Sequence, residues 1–216
     1  MKKILSKKDI NKVLDILLGL YPDAKAELDF TNPFELLIAT ILSAQCTDVQ
    51  VNKTTAVLFK EYKSPEDFLT LTEEELGRKI YSCGFYKNKS KNILESCRIL
   101  VRDYDSQVPK TIEELMTLPG VGKKTANVVV SNAFGTPAIA VDTHVFRVSN
   151  RIGLAHSKNV EDTEKDLMEN IDKDKWTKSH HLLIFHGRRI CKARKPMCEE
   201  CPVNPYCKFY LQSRID

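Results

Sequence analysis

Two lysines that follow a glycine turn have the types and spacing to do chemistry. The turn reads Leu-Pro-Gly-Val-Gly at residues 118–122, and Lys123 and Lys124 begin a helical pattern that runs to Phe134. A glycine turn that opens a helix presents backbone N–H groups and the positive end of the helix dipole. Phosphate is the usual anion at such a position. The stretch therefore predicts a phosphate site with an amine beside it.

A carboxylate further along the chain could work with such an amine. A lysine amine can attack C1′ of a sugar and form a Schiff base, but it must first lose its proton. Asp142 follows a loop and precedes an apolar helical stripe, so it also occupies an N-cap position worth about 1 kcal/mol. As a base it would deprotonate the amine, and as a charge it would stabilise a cationic sugar. Both the capping and the chemical reading stay open from the residues alone.

Four cysteines near the end of the chain form a second candidate site, with the spacing C-x6-C-x2-C-x5-C. In a reducing compartment, four thiolates this close indicate a metal and not disulfides. They can bind zinc or an iron–sulfur cluster, and the unequal gaps favour a [4Fe–4S] cluster over zinc. The candidate ligands are Cys191, Cys198, Cys201 and Cys207. The other three, Cys46, Cys83 and Cys97, are expected to be packed or partly buried thiols.

Basic residues gather in and before this cysteine loop. A charge run is usually a solvated face, but a rigid loop would hold these side chains for phosphate contact. They are Arg188, Arg189, Lys192, Arg194 and Lys195, with no acid between them. A second, weaker patch consists of Lys87, Lys89 and Lys91.

The composition is that of a globular chain with one large domain or two small ones. It has 216 residues, 42% hydrophobic and 29% charged, with a net charge of +4. The basic N-terminus lacks the apolar segment of a signal peptide, and no apolar run approaches the roughly 18 residues of a membrane span. We therefore expect no membrane association and a cytoplasmic location.

Helical periodicity extends over almost the whole chain and predicts an all-α fold. Helices are expected over residues 9–20, from 33 onward, over 49–62 and over 88–104, with capping signals at Ser64, Thr72 and Thr111. The β-branched runs at 128–130 and 138–141 look strand-like but are short and lack partner strands. A short helix over 111–116, the turn and the helix from Lys123 together predict a helix–hairpin–helix, whose turn amides hold a DNA phosphate without reading sequence.

Four motifs together resemble the endonuclease III family, the iron–sulfur branch of the helix–hairpin–helix DNA glycosylases. They are residues 43–48 (SAQCTD), 118–125 (LPGVGKKT), 141–145 (VDTHV) and the cysteine tail. The resemblance runs from about residue 20 to residue 208. It implies two helical domains with a DNA-binding cleft between them. One is a six-helix domain at 26–136 with the helix–hairpin–helix at about 111–134. The other joins residues 1–25 to 137–216 and holds the [4Fe–4S] cluster.

The resemblance also implies the activity. Such an enzyme binds double-stranded DNA containing damaged bases or abasic sites, acts as a monomer, and would be nucleoid-associated in a prokaryote. It flips an oxidised pyrimidine out of the duplex, cuts its glycosidic bond and cleaves the strand on the 3′ side by β-elimination. Lys124 matches the family nucleophile and Asp142 the catalytic aspartate. Local pattern alone does not choose between Lys124 and Lys123.

Three further residues match positions that fill or line the gap left by the flipped nucleotide: Gln45, Phe85 and His144. Phe85 stands where leucine is common, and Cys46 where alanine is frequent. The full set of expected DNA contacts is Gln45, Phe85, Gly120, Gly122, Thr125, His144, Arg194 and Lys195.

Two other readings are weighed against this one. An adenine-mismatch glycosylase also carries the cluster, but it usually lacks lysine at the position of Lys124 and has a further C-terminal domain. A non-catalytic DNA-binding module could use the hairpin and the metal as clamps, but Lys124 together with Asp142 argues against it. A zinc protein of the same activity also stays possible from spacing.

Overall fold

The computed structural model describes residues 4–214, and within that range the fold is built of helices without strands. The α-helical segments, in chain order, are α1 (Lys7–Leu20), α2 (Pro33–Ser43), α3 (Asp48–Glu61), α4 (Pro65–Phe68), α5 (Glu73–Lys79), α6 (Tyr86–Asp103), α7 (Ile112–Leu115), α8 (Lys123–Ala133), α9 (Thr143–Ile152), α10 (Val160–Asn170), α11 (Trp176–Arg189) and α12 (Lys208–Gln212). Short 3₁₀ turns cover Tyr81–Cys83 and Lys173–Lys175.

The chain forms two compact units. One is continuous and covers residues 26–136, and the other combines residues 1–25 with 137–216. The first contains α2 to α8, of which α4 and α7 are single turns. The second contains α1 and α9 to α12.

Helix α2 is the centre of the continuous unit. Every residue from Phe34 to Leu42 is buried, as its nearly uniform apolar character predicts. Helices α3, α6 and α8 pack against it, while α4 and α5 pack on α6. Because α2 is enclosed on all sides, the elements around it have fixed positions relative to one another.

Helices α9 and α11 form the core of the discontinuous unit, with α1 packed on α11 and with α10 and α12 on α9. The predicted stripe of Val141, Val145, Val148 and Ile152 is buried, at 4% exposure or less. The segment before α9, residues 138–141, is buried, lies outside any helix and forms no sheet with the rest of 4–214. The other strand-like run, 128–130, lies inside α8.

Side-chain hydrogen bonds cap most of the helix N-termini. The predicted caps at Ser64 and Thr72 form complete capping boxes. At Thr111 the hydroxyl caps the helix, but the Glu114 carboxylate accepts from that hydroxyl at 2.7 Å, so the capping box expected there is incomplete. Within the continuous unit, which is described throughout, α6 and α8 are the two helices without a side-chain cap.

The turn before α8 packs against α6. Leu118 and Val121 are buried, and the Ser96 hydroxyl donates to the Pro119 carbonyl at 3.0 Å. Gly120 has φ +80°, and a Cβ on it would lie 3.0 Å from the Asn92 amide. Gly122, by contrast, has φ −91° and open space around its Cα. Glycine is therefore required by backbone conformation at 120 and not at 122.

No described helix, over residues 4–214, is long and apolar enough to cross a membrane.

We predict that Gly120→Ala lowers the free energy of unfolding by about 1–3 kcal/mol. The new methyl group would sit on a left-handed residue and press on the Asn92 side chain. Urea unfolding followed by circular dichroism measures the change.

Gly122→Ala, two residues away in the same turn, is the matched control. Its cost should stay under about 1 kcal/mol, because only the N-cap preference of glycine over alanine is lost. Equal losses in the two variants would contradict the conformational argument for Gly120.

Candidate functional site

Lys124 is the second residue of α8 and is exposed. The helix begins at Gly122, whose carbonyl accepts the first α-helical bond from Ala126 at 3.0 Å. Since the turn is anchored on α6 and the buried face of α8 lies on α2, the direction of the Lys124 side chain is set by packing. This exposed residue lies in the first turn, at the positive end of the helix dipole.

Asp142 caps α9 in the way its position predicts. Its Oδ1 accepts from the Val145 N–H at 2.7 Å, and its backbone is extended. Buried residues 138–141 precede it and the buried Val145 follows it, so the half-buried carboxylate is held from both sides. A carboxylate has lone pairs on both oxygens, so the cap leaves acceptor capacity for a second partner.

His144 is the second residue of α9, and its ring contacts a neighbouring arginine. The Arg147 guanidinium contacts the His144 Nδ1 at 3.2 Å and donates to the Gly187 carbonyl at 2.9 Å and the Cys191 carbonyl at 3.1 Å. Arg147 therefore joins α9 to the end of α11 and the first cysteine. The sequence reading missed Arg147, although it shares a helix face with His144 at i, i+3.

Gln45 and Phe85 share an unusual backbone conformation. Both are exposed, and both have positive φ, +55° for Gln45 and +47° for Phe85. Such a conformation costs a non-glycine residue about 1–3 kcal/mol and persists where the surroundings fix it. Gln45 follows the end of α2, and Phe85 directly precedes α6, whose N-terminus it leaves without a side-chain cap. Two residues of one unit thus combine a strained backbone with a solvent-exposed side chain.

The four cysteines of the tail line a single small recess. Its walls are otherwise mainly apolar and include Ile152, Ile190, Met197 and Val203. Burial raises the pKa of the Cys201 thiol to about 11 and also raises the pKa values of Cys198 and Cys207. Within residues 4–214, no group of three or more His, Cys, Asp or Glu matches the geometry of a single-ion site. Four soft sulfur donors facing one apolar recess suit an iron–sulfur cluster.

A histidine and a tyrosine extend this recess toward α1. The His186 Nε2 lies 3.4 Å from the Cys201 Sγ, and its Nδ1 lies 3.2 Å from the Tyr21 hydroxyl. Burial lowers the pKa of His186 to about 4, so the ring is neutral near pH 7 and donates through one nitrogen only. These contacts tie α1 to the cysteine loop.

Arg151 holds the basic loop between the first two cysteines. Its guanidinium donates to the Lys192 carbonyl at 2.7 Å and the Ala193 carbonyl at 3.1 Å, and lies 3.7 Å from the Cys191 Sγ. Arg194 and Lys195 follow, both exposed, and Lys195 has φ +50°. Sequence reasoning missed Arg151 as well, since its partners are backbone atoms about 40 residues away.

Two basic residues differ from expectation. Lys89 was grouped with Lys87 and Lys91 as a surface patch, but it is only 5% exposed because its ammonium binds backbone carbonyls inside the unit. Arg189 belongs to the basic run, but its guanidinium stacks on the Phe185 ring, 4.2 Å from the centroid, and so is partly taken up by packing. The Lys89 contact to Leu42 is tertiary, whereas Phe185 lies one turn before Arg189 in the same helix.

The predicted site residues divide between the two units. Lys124, the turn, Gln45 and Phe85 belong to residues 26–136, whereas Asp142, His144, the basic loop and the cysteines belong to the other unit.

Two family models match this chain. The model described as the HhH-GPD superfamily base excision DNA repair protein covers residues 38–173. The model of the iron–sulfur binding domain of endonuclease III covers residues 191–207, which begin and end on the outer two tail cysteines. The chain belongs to the endonuclease III family. It accordingly carries a [4Fe–4S] cluster, which decides between the two metals that spacing left open.

Curated members of the endonuclease III family resemble the chain over nearly its whole length. The endonuclease III of Bacillus subtilis (strain 168) is 51% identical over 206 residues, covering 95% of this chain and 94% of that protein. The Escherichia coli (strain K12) endonuclease III is 47% identical over 201 residues, covering 92% and 95%.

Solved structures of the endonuclease III family agree with the fold. A non-covalent endonuclease III–DNA complex matches with a TM-score of 0.93 at 49% identity, covering 99% of this chain and 100% of the other. A trapped endonuclease III–DNA covalent intermediate matches with a TM-score of 0.92 at 50% identity, with the same coverage. A thermostable thymine-DNA glycosylase matches with a TM-score of 0.82 at 28% identity, covering 95% and 98%.

We predict that Cys201→Ser lowers the iron content and the visible absorbance of anaerobically purified protein, because a hydroxyl is a poor substitute for a thiolate ligand. Iron and zinc are measured by elemental analysis.

Cys97→Ser is the control. Cys97 is a fully buried thiol of the other unit, where burial raises its pKa to about 12. Full iron in Cys201→Ser, or zinc in the unchanged protein, would contradict the assignment.

Proposed function

We propose that this member of the endonuclease III family removes oxidised pyrimidines from duplex DNA with Lys124 as the nucleophile. The chain is a bifunctional DNA glycosylase and abasic-site lyase of base excision repair, as its family membership establishes. Resemblance to the family motif selects Lys124 over Lys123, and one observation supports a nucleophile at this place. Lys124 is an exposed amine in the first turn of α8, a helix whose N-terminus no side chain of the continuous unit caps and whose position the anchored turn fixes.

The proposed chemistry begins at C1′ of the damaged nucleotide. The neutral Lys124 amine attacks C1′, and the glycosidic bond breaks with its electron pair leaving on the base. The C1′–O4′ bond then breaks, which opens the sugar ring; a proton passes from Nζ to O4′, and a Schiff base forms between Nζ and C1′. Loss of a proton from C2′ then breaks the C3′–O3′ bond by β-elimination, and water releases the enzyme. The chain thus uses one amine for both activities.

Asp142 is proposed to supply the carboxylate that this sequence of steps needs. Its Oδ1 is committed to the Val145 N–H, which fixes the rotamer of the side chain. Its second oxygen is proposed to accept the proton of the amine and then to stabilise positive charge on the sugar.

The turn and the basic loop are proposed to hold the DNA backbone. Around Gly120, Gly122 and Thr125, the start of α8 offers N–H groups to one phosphate, as helix N-termini do. Arg194 and Lys195 offer charge to others, from a loop that Arg151 fixes through its carbonyls. These contacts position the duplex but read no sequence.

Gln45, Phe85 and His144 are proposed to fill or line the space that the flipped nucleotide leaves. An extruded base leaves a gap in the stack that is costly unless it is filled. The exposed Phe85 ring can stack, and the Gln45 amide can both donate and accept. Their left-handed backbone fits a role that requires exposure and rigidity together.

The tail thiolates Cys191, Cys198, Cys201 and Cys207 are proposed as the cluster ligands. When bound, the cluster supplies a rigid cross-link between the ends of the basic loop. We further propose that the protein acts as a monomer in the cytoplasm, associated with the nucleoid, since chromosomal DNA is its substrate.

The adenine-mismatch reading is disfavoured because Lys124 is present and exposed. The alternative of a non-catalytic DNA-binding module is also disfavoured, because such a module would need neither Lys124 nor a chemical role for Asp142.

Borohydride should trap the wild-type protein on DNA bearing an abasic site, and Lys124→Ala should abolish trapping because no amine remains to form the imine. Gel electrophoresis of the covalent protein–DNA adduct measures the rate and extent of trapping. Lys123→Ala is the matched control and should be trapped at the wild-type rate. Undiminished trapping of Lys124→Ala would move the nucleophile elsewhere.

Asp142→Asn should keep the cap, since the amide oxygen also accepts from Val145 N–H, and yet lose about 10²–10⁴-fold in turnover. Asp142→Ala should lose turnover and also about 1 kcal/mol of stability. Single-turnover rates, equilibrium DNA binding and urea unfolding separate these effects. A large loss of DNA affinity with unchanged turnover in Asp142→Asn would assign the residue a structural role.

A further inference from the structure

One buried lysine joins the two loops that carry Gln45 and Phe85. Lys89 lies in the first turns of α6, and its Nζ donates to the Leu42 carbonyl and the Cys83 carbonyl, each at 2.8 Å. Leu42 is three residues before Gln45, and Cys83 is two residues before Phe85. A single ammonium therefore spans the bases of both loops.

We propose that Lys89 is a positioning residue that sets the spacing between Gln45 and Phe85, so that both side chains enter the gap in the duplex together. The inference rests on the proposed function of those two residues as gap fillers.

The charge of Lys89 suits this place. The last carbonyls of α2 have no partner within their own helix and carry the negative end of its dipole, so an ammonium there is stabilised. Burial lowers the pKa of Lys89, but both its partners are carbonyl oxygens and accept from the charged or the neutral amine. An apolar residue of the same length would fill the space and leave both carbonyls without a donor.

The Phe85 loop has a second anchor, and the Gln45 loop depends more on Lys89. From α3, Gln50 donates to the Ser82 hydroxyl at 2.9 Å, and the Cys83 thiol lies 3.5 Å from the Thr54 hydroxyl.

On the Gln45 side, burial raises the pKa of the Cys46 thiol, and the neighbouring Cys83 thiol raises it further. Lys89 bonds to the base of both loops. Strained residues keep their conformation only when their surroundings fix it.

The test compares two DNA substrates. In duplex DNA with an abasic site the gap fillers matter, whereas in single-stranded DNA with the same site there is no opposite strand and no gap. Lys89→Met keeps the length of the side chain and removes its donors. We expect its borohydride trapping rate on the duplex to fall about tenfold or more, since small misplacements cost this much. Its rate on the single strand should stay within about twofold of wild type.

Double variants show whether Lys89 acts through the two loops. In a protein that carries both Gln45→Ala and Phe85→Ala, adding Lys89→Met should cause little further loss on the duplex. Lys53→Met, at an exposed lysine of α3 in the same unit, is the control and should change neither rate. Thermal unfolding of each variant is measured alongside. If Lys89→Met does not fold, Lys89→Gln replaces it, because the shorter amide still donates to one carbonyl and should give a smaller duplex-specific loss.

Three results would overturn the inference: no loss on the duplex, equal losses on both substrates, or a loss that adds fully to that of the Gln45 and Phe85 changes. Failure of the proposed gap-filling role looks different, because the protein with Gln45→Ala and Phe85→Ala alone would then be trapped on the duplex at the wild-type rate.

Discussion

The packing of the turn at residues 118–122 against α6 is the constraint on which the candidate active site depends. Buried Leu118 and Val121 and the bond from Ser96 hold the turn, and the left-handed Gly120 lets it lie against the helix. Together they fix the residue at which α8 begins. A shift of that start by one residue would rotate Lys124 by about 100° about the helix axis. The position from which α8 presents Lys124 is thus set by a hydrophobic anchor.

The helix N-termini of this fold are of two kinds: those that a side chain caps and those without a side-chain cap. In the continuous unit most helices are closed by their own Ser, Thr or Asn, but α6 and α8 begin at Phe85 and Gly122 without one. These are the two helix starts to which the sequence reading assigned DNA contacts. In the other unit Asp142 caps α9 and presents a half-buried carboxylate at the same helix start.

Features that depend on residues close together in the chain could be predicted from the sequence. The starts of α4 and α5 followed from Ser64 and Thr72, since capping depends on residues three positions apart. The burial of Lys89 could not be predicted, because one of its carbonyl partners lies 47 residues away. Nor could the left-handed backbone of Gln45 and Phe85, since neither residue type favours it. The choice of Lys124 over Lys123 came from resemblance to a family, and geometry alone leaves both exposed.

The discontinuous unit imposes an order on folding during synthesis. Helix α1 leaves the ribosome first, but its packing partner α11 follows more than 150 residues later, and at typical elongation rates this interval lasts about 10–30 s. The apolar face of α1, with Ile10, Val13 and Leu17, has no partner during that time, while residues 26–136 can already fold. The thiols of 191–207 emerge after α11. Docking of α1 therefore waits for α11, and the cysteine segment is complete only after the hairpin of residues 26–136 has had time to form.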